Sequence, residues 1–296
     1  RLPHPRYKGK DIPAWEMIKF SVNIHRGCFG GCSFCTISAH QGKFIASRSE
    51  KSVLREVEQV IEMPGFKGFL SDIGGPSANM YMMGGIKREK CRECTRYSCI
   101  YPSICLNLNA SHSAANNLYI KIRSMHGVKK AFVSSGVRYD LFTGRNTQAE
   151  KDYFENLCRF HISGRLKVAP EHTSEKVLKL MRKPSFRKFR QFKTEFDLIN
   201  KKYALNQQLI PYFISSHPGS TEADMQELAR EIKELNIRPE QVQDFTPTPM
   251  TLASAMYYTG INPYTGEKIY VARSRKEKLK QNSYFFWYKA QNTKGS

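Results

Sequence analysis

The 296-residue sequence predicts an α/β fold built on a parallel sheet. Three observations carry this. Six short apolar runs read as strands, and helical patterns separate them as parallel neighbours require. Hydrophobic residues make up 40% and aromatics 12%, enough for a sizeable core. Residues able to do chemistry gather just after the expected strand ends, where parallel sheets hold their sites.

The elements follow in order. Ile18–His25 reads as the first strand, and Lys51–Met63 as a helix with apolar residues at helical spacing. Gly65–Asp72 is the second strand. A long irregular stretch runs from Ile73 to about Ser111, and Ala114–Met125 is helical. The third strand, Lys129–Ser135, precedes the helix Ala149–His161. Arg165–Pro170 is the fourth. A helix opens at Ser174 and breaks at Pro184, and Phe186–Tyr203 forms the next. Gln207–Ser215 is the fifth strand, and its helix opens with Thr221 and Asp224 in capping-box spacing. Gln241–Thr246 is the sixth. An open doubly wound sheet and most of a barrel both satisfy this order.

The charge and the cysteines narrow the partners. Lys plus Arg total 47 against 26 Asp plus Glu, a net charge of +21. Such an excess favours anionic partners, although a solvated lysine-rich surface explains it equally well. No signal-peptide pattern and no apolar run of bilayer length is visible. The chain starts at Arg1 rather than Met. Seven of the eight cysteines fall in two tight clusters, which points to metal and a reducing cytoplasm. Cys158 stands apart as a core residue.

Cys28, Cys32 and Cys35 form C-x3-C-x2-C in "RGCFGGCSFC", just after the first strand. Gly27, Gly30 and Gly31 let this loop wrap a bulky group. A cubic iron–sulfur cluster normally takes four thiolates. Three leave one iron open, and an open position is how metal sites admit substrate. A zinc site completed by His25 or His40 is the competing reading.

This pattern, with Phe34 before the last cysteine, resembles the radical S-adenosylmethionine (SAM) superfamily. The resemblance implies an incomplete (β/α)6 TIM-like barrel. It also implies a [4Fe-4S] cluster whose open iron is chelated by SAM. An external donor reduces the cluster, which cleaves SAM to a 5′-deoxyadenosyl radical that abstracts hydrogen from a substrate. The order of "HRGCFGGCSFCTISAHQG" and "SDIGGPSANMY" resembles the YgiQ family over about residues 14–260. Members carry another domain before this core, so an N-terminal domain of the full-length protein is expected to be missing here.

The same resemblance assigns roles at the other strand ends. Phe34 packs near the adenine of SAM. Gly74 and Gly75 match the Gly-Gly-acid segment whose backbone binds the SAM amino group. Pro76 stands where the acid would be, leaving Asp72 as a substitute. Ser135 and Arg138 match positions that hold the ribose and carboxylate of SAM, a task that suits the guanidinium fork. Glu171 and His172 suit acid–base or ribose-binding work, with helix capping as the plainer reading. Ser216, His217, Pro218 and Gly219 resemble a segment lining the adenine pocket.

Cys91, Cys94, Cys99 and Cys105 form a second cluster inside an insert of about residues 76–112. Four thiols bind zinc or an auxiliary iron–sulfur cluster, with His112 in reserve as a ligand. The remaining layout is a core of residues 1–260 and a C-terminal extension of 261–296. In the extension, "YFFWYK" follows a run of lysines and arginines. These aromatics dock on the barrel or, with the charge, bind RNA.

Two functions remain open. One is a radical SAM enzyme acting on RNA, a protein or a small molecule. The other is a non-catalytic, metal-dependent nucleic-acid binding module whose cysteines are structural.

Overall fold

The computed structural model describes residues 9–145 and 147–288. Its longest strands follow from alternating sequence. In Arg165–Glu171, Leu166 and Val168 are buried while Arg165 and Lys167 are exposed. This strand pairs in parallel with Gln208–Ser215, which pairs in parallel with Gln241–Asp244. At the other end of the chain, Ser21–Asn23 runs parallel to Asp72–Gly74, with Ser21 opposite Asp72 and Asn23 opposite Gly74. Phe69–Leu70 pairs in parallel with Lys130–Ala131. One parallel bridge, Val137 to Val168, links the third strand region to the fourth. Among the described residues, parallel pairings therefore join strand regions that are successive in the chain.

Helices cover the sheet because their apolar residues recur every three or four positions. Glu50–Ile61 buries Val53, Val57 and Val60, and the Ser49 side chain caps it by accepting from Ser52 N. Phe186–Lys202 sends Phe186, Phe189, Phe192 and Phe196 into the core. Each such ring contributes about 1.5–3 kcal/mol by leaving water. Glu222–Glu234 carries the expected capping box of Thr221 and Asp224. Among the described residues, no helix is long and apolar enough to cross a membrane.

Several bounds differ from expectation. The first strand is only Ser21–Asn23, since Pro13–Ile18 is helical. The third strand is only Lys130–Ala131. The helix expected over Ala149–His161 is α-helical over Gln148–Asn156 and π-helical over Leu157–His161. The insert is less irregular than it reads, with Gly84–Gly85 antiparallel to Leu108–Asn109 and a helix at Arg88–Arg92.

The C-terminal segment packs onto the sheet. A helix, Arg275–Ser283, starts with a capping box of Ser274 and Glu277. Phe285 behind it is fully buried, 5.5 Å from the Phe213 ring. Gln281 is buried too. Its Oε1 accepts from Ser216 N (3.0 Å) and its Nε2 donates to Ser220 O (2.7 Å). Trp287 Nε1 donates to Ile237 O at 3.2 Å. Lys289, the last residue of "YFFWYK", lies outside the described residues.

Candidate functional site

The three-cysteine loop leaves the first strand through His25–Arg26, which pairs with Ala46–Ser47. Backbone bonds fix its course. Cys28 N donates to Gly42 O (3.1 Å), Ser33 N to Met181 O (3.0 Å), and Ser38 Oγ to Cys28 O (2.6 Å). Gly31 sits at a φ of +63°, and a Cβ there would overlap the Tyr97 carbonyl oxygen of the insert. The loop therefore accepts the insert against its backbone only because this residue is glycine.

Positive charge is brought to the thiols by the third strand end. Arg138 Nη1 donates to Cys32 Sγ at 3.4 Å. The rest of the guanidinium grips Asp140 in a bidentate pair, Nε to Oδ1 at 2.9 Å and Nη2 to Oδ2 at 2.6 Å. Burial alone would raise the Asp140 pKa, but Arg138 holds it below the ordinary value. Asn79 fixes the Arg138 backbone, accepting from its N–H (2.8 Å) and donating to its C=O (3.0 Å). Burial pushes the Cys28 thiol up, against the pull of Arg138, and pushes Cys35 up to about 11. Without a cation both stay protonated at neutral pH, so a metal must displace their protons.

The glycines at the second strand end are tightly packed. A Cβ on Gly74 would overlap Ser135 Oγ, and one on Gly75 would lie 2.6 Å from the His25 ring. Ser135 Oγ donates to Asp72 Oδ2 at 2.6 Å. Asp72 Oδ1 accepts from Ser134 N (2.7 Å) and Ser135 N (3.1 Å). Asp72 thus staples the second and third strand ends. Ser135 and Arg138 line a cavity of about 330 Å³ with Pro76, Lys167, Ala169 and Tyr212. Lys167 and Tyr212 carry no signal in the sequence that marks them for this site.

Glu171 and His172 separate. Glu171 is buried 3.7 Å from the equally buried Lys183, and burial raises its pKa. His172 turns back onto its own backbone just ahead of the helix Glu175–Met181. Its Nδ1 accepts from Thr173 N and Ser174 N, both at 3.0 Å, and burial lowers its pKa to about 3. His217 lies 6.1 Å from Phe34, ring to ring, and its Nδ1 donates to Pro218 O at 2.8 Å. Both Glu171 (φ +69°) and Ser216 (φ +60°) adopt left-handed backbone, and such strain concentrates at functional sites.

These residues fit a bound cofactor. Ser216 Oγ and His217 Nε2 are buried with no hydrogen-bond partner, although buried polar groups normally have one. A Cβ at Gly30 would lie 2.8 Å from Arg138 Nη1 and 3.2 Å from Cys28 Sγ, so glycine there lets the guanidinium and the thiol lie close against the loop. Arg138 stands near Cys32 and Cys28, and three thiols on one loop are donors of iron–sulfur type. Asp140 and Lys183 were not singled out in the sequence, although each stands beside a marked stretch, in "VRYDL" and "LMRKP".

The four insert cysteines line one cavity of about 200 Å³. His112 does not join them. Its Nε2 accepts from Asn79 Nδ2 at 3.0 Å, and its Nδ1 faces Glu150 Oε1 at 3.6 Å. Its role is to hold the asparagine that positions Arg138. Nearness to Cys105 in sequence does not make it a reserve ligand.

A family model described as the radical SAM superfamily matches residues 22–232. The chain belongs to the radical SAM superfamily. This radical SAM chain also matches a domain of unknown function, DUF3362, over residues 240–294. It is similar to a UPF0313 protein of Bacteroides thetaiotaomicron, 58% identical over 299 residues, covering 99% of this chain and 48% of that protein. It is 45% identical over 284 residues to UPF0313 protein YgiQ of Escherichia coli K12, covering 94% of this chain and 38% of that one. The radical SAM chain thus spans about half or less of the curated relatives it matches. Its fold is similar to that of TsrM from Kitasatospora setae, a radical S-adenosylmethionine methyltransferase solved with cobalamin and a [4Fe-4S] cluster bound. The TM-score is 0.53 at 11% identity, over 89% of this chain and 45% of that one. At this identity the likeness shows the α/β radical SAM fold alone.

Proposed function

We propose that this chain is the catalytic core of a radical SAM enzyme, in which Cys28, Cys32 and Cys35 hold a [4Fe-4S] cluster that SAM completes. One observation carries the reading: a three-thiol loop at a strand end, with Arg138 donating to the Cys32 sulfur. When bound and reduced by an external donor, the cluster supplies one electron that cleaves SAM to a 5′-deoxyadenosyl radical.

This chain's residues do the rest. Arg138 and Asp140 hold positive charge against the thiolates. Asp140 takes two of the Arg138 N–H groups and Glu171 pairs with Lys183, so Arg138 Nη1 and Lys183 together are the cations for the SAM carboxylate. The Gly74–Gly75 backbone binds the amino group, Ser135 and Glu171 the ribose, and Phe34 and His217 flank the adenine. Sequential parallel pairing supports an incomplete (β/α)6 barrel whose lumen is the 330 Å³ cavity. The core spans residues 1–260, with its insert at about 76–112 and the extension at 261–296. The insert's thiols offer a second metal site, for iron–sulfur or zinc. Free thiols throughout fit a reducing cytoplasm.

One feature favours a nucleic-acid substrate among those open. A groove of about 590 Å³ is lined by Tyr101, Tyr264 and Tyr270 with Lys176, Lys179 and Lys268. At its edge Arg182 stacks over Tyr97 (4.4 Å), and its Nε donates to Tyr264 Oη (2.7 Å). Rings for bases beside cations for phosphates suit single strands. Non-catalytic nucleic-acid binding uses the same groove, so cleavage of SAM separates the two readings.

The test is anaerobic incubation with SAM and dithionite, followed by assay of 5′-deoxyadenosine. The wild-type protein forms it, and Cys28→Ala, Cys32→Ala and Cys35→Ala each abolish it. Product formation by any of these variants at the wild-type rate would refute the assignment.

A further inference from the structure

We propose that Cys91, Cys94, Cys99 and Cys105 hold a second [4Fe-4S] cluster inside the insert, rather than a structural zinc ion. The argument starts from space. All four cysteines line the same cavity of about 200 Å³. A single zinc ion needs its four sulfurs drawn in at about 2.3 Å, with nothing between them. Four thiols spread around a cavity match a bulky cube instead.

The walls match as well. Phe29, Ile45 and Leu108 give the cavity an apolar wall. Gly84 and Gly85 complete the wall, and a Cβ on Gly85 would overlap Cys91 Sγ. Hydrogen bonds and cations face the sulfurs. Asn107 Nδ2 donates to Cys91 Sγ at 3.3 Å, and Lys43 Nζ lies 3.9 Å from Cys94 Sγ. Lys90 and Arg96 also line the cavity. Four thiolates leave the site anionic around either a cube or a zinc ion, and these groups offset that charge.

The insert is also built onto the first loop. Cys99 N donates to Phe29 O at 3.0 Å. Phe29 lies between Cys28 and Gly30 in the three-cysteine loop and is itself a wall of the insert cavity. The two cysteine sets are therefore neighbours across one side chain.

The experiment counts metals in the full chain after anaerobic reconstitution with iron and sulfide. The wild-type protein is expected to bind about eight irons, two cubes of four. A variant with Cys91→Ser, Cys94→Ser, Cys99→Ser and Cys105→Ser should lose about four of them. A second variant, with Cys28→Ala, Cys32→Ala and Cys35→Ala, tests the insert without touching it. It should keep about four irons and, once reduced, the paramagnetic signal of a [4Fe-4S] cluster. Zinc in place of that iron, or a three-alanine variant free of iron, overturns the proposal. If instead the three-alanine variant keeps all the iron that the wild type binds, the first-site reading fails while this one stands.

Discussion

Gly31→Ala isolates the contact between the three-cysteine loop and the insert. Alanine at a φ of +63° carries a left-handed backbone penalty of about 1–2 kcal/mol. Its methyl group would also overlap the Tyr97 carbonyl oxygen, a backbone atom with no rotamer to escape into. Overpacking of this kind costs about 1–3 kcal/mol more. The sum is a loss of roughly 2–5 kcal/mol. Gly42→Ala is the control, because Gly42 has a φ of +95° and nothing within 4 Å of its missing Cβ. It pays for the backbone alone. Urea unfolding of both variants under anaerobic conditions gives the difference. Alkylation of the insert cysteines should also speed up in Gly31→Ala only, as the insert lifts. Equal stabilities and equal alkylation rates would refute the idea that Gly31 seats the insert.

Three further outcomes follow from the same geometry. Asp140→Ala strands the buried Arg138 guanidinium and should lower stability by about 3–5 kcal/mol in urea unfolding, whereas a loss under about 1 kcal/mol would deny the pair its role. Burial holds His25, His161 and His217 near a pKa of about 4, and His172 near about 3. Their unfolded value is about 6.5, so their stabilisation is complete above that pH and is lost as pH falls toward 4, by about 3 kcal/mol for each. The melting temperature should drop steeply below pH 6, and a flat profile from pH 7 to 5 would contradict their burial as neutral rings. Phe285→Ala empties a fully buried position and should cost about 3–5 kcal/mol, measured as a shift in urea midpoint.

What was legible in the sequence was local. Cys28, Cys32 and Cys35 declare themselves by spacing, and the paired strands by short apolar runs. The bounds were less so, because the helix Pro13–Ile18 took Ile18 from the first strand and loop geometry shortened the third. Contacts made only by folding were not legible. Lys183 meets Glu171 across a helix, and His112 turns away from the nearby cysteines to Asn79 and Glu150. His172 reads as chemistry, but its ring nitrogen accepts the two backbone N–H groups that follow it, a local turn that leaves no mark in composition.

The seating of Gln281 on Ser216 N and Ser220 O ties two stretches that similarity assigns to separate families. A similarity boundary at residue 232 or 240 is therefore not a folding boundary. The Ser216 amide loses its acceptor whenever the C-terminal helix undocks, so its exchange with deuterium reports on a helix more than sixty residues away in sequence. Fraying at the end of the described chain would thus be felt first at the fifth strand end, beside His217. In cooperativity the two families form one unit.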